Sequence, residues 1–78
     1  MTNKEEALAT LKEEGVDETL IKYILNAKNW DKETRYKFVN VVSCALNFLS
    51  SKPVKDDKTN KSIRIFKAEY NLYLEVLF

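Results

Sequence analysis

Few side chains in this sequence could carry out nucleophilic or acid–base chemistry. The 78 residues include no His and a single Cys, Cys44. Without His the commonest general base is absent, and a Ser-His-Asp or Cys-His arrangement cannot form. A zinc site built from Cys and His is excluded for the same reason. Cys44 could act as a nucleophile only on an exposed, electropositive surface. Its apolar neighbours Val42 and Leu46 indicate a small core or interface residue instead.

Carboxylates are the remaining candidates for chemistry, and their positions indicate structural roles. Most of the acids in the first 20 residues fall near expected helix ends, where a carboxylate caps the helix or favours its positive dipole. Asp56 and Asp57 lack the spaced ligands of a calcium loop. One Gly is too few for a phosphate-binding or dinucleotide-binding loop. We therefore expect no enzyme activity, no catalytic residues, no metal, no cofactor and no small-molecule substrate.

Apolar spacing and capping residues predict three helices in the first two-thirds of the chain. The first covers residues 3–14 and ends at Gly15, the only glycine, as a left-handed C-cap would. The second begins after an N-cap at Asp17 and carries apolar residues at helical spacing. After a short corner the third runs over residues 32–51, because Pro53 forbids its continuation.

The segment 62–73, which follows a polar stretch predicted as a loop over 52–61, fits two secondary structures. In a helix one face would carry Ile63, Phe66, Tyr70 and Tyr73. In a strand one face would carry Phe66, Ala68, Tyr70 and Leu72. No other segment offers a pairing partner, so a strand would leave its backbone groups unpaired. We expect an all-α fold, a small three- to four-helix bundle, with a C-terminal strand as the alternative to the fourth helix.

The last five residues read LEVLF. They resemble the start of the engineered picornaviral protease site LEVLFQGP, which is used to remove purification tags. We therefore expect a single helical domain over residues 1–73 and interpret residues 74–78 as a remnant of such a site.

Composition and charge favour a small cytoplasmic domain. The chain is 45% hydrophobic and 32% charged, which suits a folded helical protein. No signal peptide follows Met1, and no apolar run approaches the ~20 residues of a membrane span. Residues 1–20 carry a net charge of −4 and residues 21–50 a net charge of +3. This distribution is weaker than the basic patch typical of nucleic-acid binding.

The uncharged segment 38–51 carries the strongest functional signal. Its fourteen residues hold no charge, whereas a chain that is 32% charged would hold about four in that length. Neutral polar residues form a stripe at spacings of 3, 4 and 3 along the predicted third helix, with Tyr36 beside it. The stripe consists of Asn40, Ser43, Asn47 and Ser50. Small residues at such spacing let two helices approach, and a buried Asn can fix their register.

Two interpretations of the third helix follow. In one, it is the central helix of the bundle, and the other helices cover its apolar half. In the other, the polar stripe contacts a second copy or a different protein. Trp30, at the corner before this helix, is either a lid on the core or a binding anchor. The predicted partner-binding residues are Trp30, Tyr36, Asn40, Ser43, Asn47 and Ser50.

These features favour a small regulatory or inhibitory protein that binds another protein, with a homodimer as one form. A compact, His-free chain rich in Lys, Asn and Glu is common among bacterial and phage regulators. The alternative is a nucleic-acid-binding protein that uses basic residues around the corner. Those residues are Lys22, Lys28, Lys32, Arg35 and Lys37. A third hypothesis is a subunit of a larger assembly.

Two resemblances concern the N-terminal half. Residues 7–28 resemble a helix-turn-helix with Gly15 in its turn, which implies DNA binding. The helix that would read DNA opens with two acids, and these would repel phosphate. Residues 7–39 are also similar to a ubiquitin-associated domain, with Ile24 and Leu25 as its apolar pair. That similarity covers under half of the chain and implies a three-helix arrangement, without a function being carried over.

Overall fold

A computed structural model describes residues 3–78, which form four α-helices joined by short connections. The helices are α1 (Asn3–Glu13), α2 (Glu18–Leu25), α3 (Lys32–Ser50) and α4 (Asp57–Leu77), with a 3-10 turn at Ala27–Asn29 between α2 and α3. This part of the chain contains no strand. The all-α prediction is confirmed. The strand alternative for residues 62–73 is wrong, because these residues lie within α4, which pairs its own backbone groups.

The turn between α1 and α2 is built by Gly15. Its φ angle is +79°, a left-handed conformation that glycine adopts without steric cost. The Gly15 amide donates to the Lys12 carbonyl at 3.1 Å, and the Val16 amide donates to the Leu11 carbonyl at 3.0 Å. These two bonds form the Schellman C-cap of α1. The predicted left-handed cap at Gly15 is therefore confirmed.

Aspartate side chains start the other three helices. Asp17 Oδ1 accepts a hydrogen bond from the Thr19 amide at 2.8 Å, and Asp31 Oδ1 accepts one from the Thr34 amide at 2.7 Å. Asp56 begins α4, with Oδ1 accepting from the Thr59 amide at 2.8 Å. The loop predicted over residues 52–61 is therefore too long, because this cap starts α4 inside the charged stretch.

α4 is the central helix of the fold. Helices α1, α2 and α3 each pack chiefly against α4 and only weakly against one another. The largest fully buried side chains are Leu11, Ile24 and Leu72. In α3, by contrast, only Val42 is buried. The interpretation of α3 as the central helix is therefore wrong: its apolar side chains spread over a wider arc than its contact with α4 covers.

The contact between α1 and α4 includes an ion pair. Arg64 Nε donates to Glu14 Oε1 at 2.8 Å, across fifty residues of sequence. This hydrogen bond is the main reason that the pKa of Glu14 is lowered. α1 and α2 pack mainly against α4 and only weakly against each other. The first three helices therefore do not form the self-contained three-helix unit that the similarity to a ubiquitin-associated domain implies.

The C-terminal end of α4 crosses the predicted domain boundary without a break. The helix continues to Leu77, and Val76 and Leu77 pack partly against the core. The assignment of residues 74–78 to a tag site stays a prediction from their sequence. None of the helices within residues 3–78 combines the length and apolar character needed to cross a bilayer.

Candidate protein-binding surface

The polar stripe predicted from the sequence lies on the solvent side of α3. Asn40, Asn47 and Ser50 are exposed, and Ser43 is half-buried. Tyr36 beside them is 61% exposed. The stripe is therefore largely uncovered by the rest of the described chain. Its role as a binding site stays a prediction.

Trp30 belongs to an aromatic cluster where α2, α3 and α4 meet. Its ring centroid lies 4.5 Å from that of Tyr23, 5.1 Å from that of Phe38 and 6.1 Å from that of Tyr73. The rings are tilted or edge-on, which is the favoured geometry for aromatic pairs. Trp30 is half-buried and Tyr73 is buried, while Tyr23 and Phe38 are exposed at the cluster's outer edge. Trp30 thus joins the core to the surface.

An exposed apolar surface extends from this cluster along α2 and α3. Five large side chains, each at least 39% exposed, make up what we call the apolar surface. They are Leu20, Tyr23, Phe38, Val41 and Phe48. The rings of Tyr23 and Phe38 lie 6.0 Å apart and connect the α2 part to the α3 part. The sequence interpretation that covered the apolar half of α3 with other helices missed this surface.

Helix geometry explains why these α3 side chains reach solvent. At 100° per residue, Phe38, Val41 and Phe48 lie within about 80° of one another on α3. Val42, the buried residue of α3, lies to one side of that arc. Because α2 and α3 pack on α4 and not closely on each other, the edge of α3 that faces α2 is left open.

Lysines mark the two ends of the α3 part of the apolar surface. Lys37 Nζ lies 3.4 Å from Glu33 Oε1 in an exposed pair. Lys52 Nζ lies 5.6 Å from the centroid of the Phe48 ring, where a cation is attracted to the aromatic face. Cys44 is a free cysteine and is exposed, so the core position predicted as one alternative for it is wrong. Such a mixture of apolar centre and polar rim is typical of protein interfaces.

A buried carboxylate lies in α4 one turn before Tyr73. Glu69 is only 8% exposed, and burial raises the pKa of its carboxyl. Burial, followed by the charges of Glu69 and Tyr23, raises the pKa of the Tyr73 phenol to about 12. Sequence reasoning missed Glu69. Its spacing of four residues from both Ile65 and Tyr73, on an apolar helix face, is the signal that could have found it.

The basic residues proposed for nucleic-acid binding are mostly solvated. Lys22, Lys28, Lys32 and Lys37 are exposed, and Arg35 is half-buried. Arg35 Nε is the one buried polar side-chain atom of residues 3–78 that lacks a hydrogen-bond partner. It lies by a pocket of about 220 Å³ whose wall includes Leu77 and Phe78. That wall belongs to the predicted tag remnant, so the pocket is a poor candidate site.

Metal ions in proteins are held by groups of ligand side chains. Residues 3–78 contain no group of three or more His, Cys, Asp or Glu side chains that could hold a metal ion.

Comparison of the chain with protein-family models, curated proteins and solved structures finds no match. The candidate site therefore rests on the geometry of the apolar surface.

Proposed function

We propose that this protein is a small regulator or inhibitor that acts by binding another protein through the apolar surface. The observation that supports the proposal is the exposure of Val41 and Phe48, at 64% and 67%, on the same helix as exposed Phe38, whose ring lies 6.0 Å from that of exposed Tyr23. Contiguous exposed apolar patches with a polar rim mark interaction sites in soluble domains. Aromatic side chains are also enriched among the residues that contribute most to binding.

The polar stripe borders the apolar surface on α3, and we assign it to the rim of the interface. Asn47 lies about 100° around the helix from Phe48, so one partner can contact both. Rim contacts exclude water from the centre but contribute little free energy themselves. In this arrangement Phe48 and Val41 supply most of the affinity, and the stripe supplies register and hydrogen bonds.

The test is capture of a partner from the native host with wild-type protein and two variants. Phe48→Glu should reduce the affinity by about 2 kcal/mol or more, roughly 30-fold, because it places a charge in the apolar centre. Since Phe48 is largely exposed, circular dichroism should show an unchanged fold.

The matched control is Asn47→Lys, on the neighbouring edge of the same helix. It should weaken binding much less than Phe48→Glu does. A partner that binds Phe48→Glu as tightly as wild type would refute the proposed surface. Loss of binding with Asn47→Lys alone would place the centre of the interface on the polar stripe instead. Titration with a nonspecific DNA duplex at low salt examines the nucleic-acid alternative, for which we expect no binding.

A further inference from the structure

Glu69 is a carboxylate that the described chain buries without giving it a partner. It makes no hydrogen bond or ion pair within residues 3–78, although it is only 8% exposed. Unlike Arg35 Nε, the carboxylate oxygens of Glu69 keep some contact with solvent. A buried charge without a counter-ion is costly, and buried charges in proteins are normally paired.

Tyr73 connects Glu69 to the aromatic cluster at one end of the apolar surface. Glu69 and Tyr73 lie one turn apart on the same face of α4. Tyr73 contacts Trp30 of the aromatic cluster, whose outer edge is formed by Tyr23 and Phe38. α3 and α4 run antiparallel, since Lys32 and Val39 of α3 lie near Leu77. The turn of α4 before Tyr73 therefore lies beside the turn of α3 after Phe38, where Val42 packs in the core.

We propose that the apolar surface receives an amphipathic helix of another protein, and that a Lys or Arg within that helix's apolar stripe pairs with Glu69. This inference rests on the proposed function and names the chemistry of the partner. The α3 part of the surface, from Phe38 to Phe48, is about 15 Å long, which matches almost three turns of a helix. A helix that docks between two others is a common mode of recognition.

The positions of Lys37 and Lys52 favour binding of a different protein to the apolar surface over binding of a second copy of this chain. If two α3 helices paired antiparallel with Val41 opposite Phe48, the same register would bring Lys37 opposite Lys52. A parallel pair related by two-fold symmetry would bring each lysine opposite its own copy. Both arrangements place like charges together, whereas a foreign helix can avoid this repulsion and supply a cation to Glu69.

The experiment is selection from a displayed library of helical peptides on the full-length chain. The library fixes Leu at two positions of one helix face and randomises the remaining positions. Peptides selected on wild-type protein should carry Lys or Arg at one position within the apolar stripe. Replacing that residue by Gln should weaken binding at least tenfold, as measured by fluorescence anisotropy.

Two variants separate this inference from the proposed function. The selected peptide should bind Glu69→Gln at least tenfold more weakly than wild type. Peptides with and without the basic residue should bind this variant with equal affinity. With Phe48→Glu, peptides with and without the basic residue should both bind poorly. Peptides that need Phe48 but bind Glu69→Gln as tightly as wild type would overturn the pairing and leave the proposed surface intact.

Two further results would overturn the inference. One is that no selected peptide depends on Phe48, which would also remove the proposed surface. The other is that sedimentation shows wild-type protein dimerising at micromolar concentration while Phe48→Glu stays monomeric. In that case a second copy would occupy the surface.

Discussion

At the scale of single residues, burial and helix capping shift the pKa values of carboxyl groups in this protein in opposite directions. Burial raises the pKa of Glu69 above its usual value of 4.5. Hydrogen bonds from Thr34 lower the pKa of Asp31 below 3.8, and those from Thr59 do the same for Asp56. Glu69 therefore favours the unfolded chain when it is ionised, whereas the two aspartates favour the fold when they are ionised.

The shift at Glu69 predicts how stability depends on pH. Between pH 4.5 and the raised pKa, the folded protein holds a proton on Glu69 that the unfolded chain has lost. The contribution of Glu69 to stability therefore falls as pH rises through this window. It recovers as pH drops toward 4.5. Urea unfolding from pH 7 to pH 5 should show wild type gaining stability relative to Glu69→Gln as the pH falls.

Glu69→Gln is the natural comparison because it keeps the shape of the side chain and removes the titrating group. The capping aspartates and Glu14 act at lower pH, since their pKa values are lowered from 3.8 and 4.5. Unfolding curves of wild type and Glu69→Gln that shift in parallel over pH 5–7 would contradict a raised pKa at this residue.

At the scale of elements, the aspartate caps decide where helices begin. Asp56→Ala should destabilise the protein by about 1 kcal/mol, because it removes the acceptor for the Thr59 amide at the start of α4. Asp57→Ala is the control, since Asp57 lies in the first turn and contributes mainly through the helix dipole. Thermal unfolding measures both. Equal losses for the two variants would show that charge near the helix start matters more than the cap bond.

The helices that the sequence predicts well are those whose end signals are local and stand out. Gly15, Asp17 and Asp31 place the ends of α1, α2 and α3 close to their observed positions. The start of α4 was missed because its cap, Asp56, sits in a run of lysines and polar residues that has the composition of a loop. Asp56 is a favourable N-cap residue, but the polar composition around it predicts a loop.

Which helix is central could not be read from periodicity. The uncharged segment of α3 has the composition of a core helix, yet Val41 and Phe48 are exposed. Burial depends on which partner covers each face, and that follows from the packing of distant segments. Prediction of the candidate site from the sequence was limited for the same reason. Trp30 was predicted, but the apolar surface emerged only when α2 and α3 were placed on α4.

At the scale of the whole molecule, α4 is the helix on which the other helices pack, and the largest fully buried side chains lie before its last turn. Leu11, Ile24 and Leu72 are fully buried, and all three lie before residue 74. Residues 74–78 add the partial burial of Val76 and Leu77 at the end of α4. The largest fully buried side chains therefore lie within residues 3–73, and the domain boundary at residue 73 stays a prediction from the sequence.

A chain that ends at Tyr73 should fold with the same helices and lose about 1–3 kcal/mol of stability. The loss comes from the partly buried side chains of Val76 and Leu77. Circular dichroism and urea unfolding measure the two effects. A shortened chain without cooperative unfolding would show that residues 74–78 are an integral part of the domain.

The central position of α4 also determines when the protein can fold during its synthesis. Domains generally fold as units during synthesis, so a domain needs all of its packing elements outside the ribosome. Here α1, α2 and α3 find their main packing partner only in α4, which follows them in the chain. The ion pair between Glu14 and Arg64 likewise cannot form before residue 64 has been made. The packing of these helices therefore cannot be completed until α4 has left the ribosome, and their apolar side chains are open to chaperones until then.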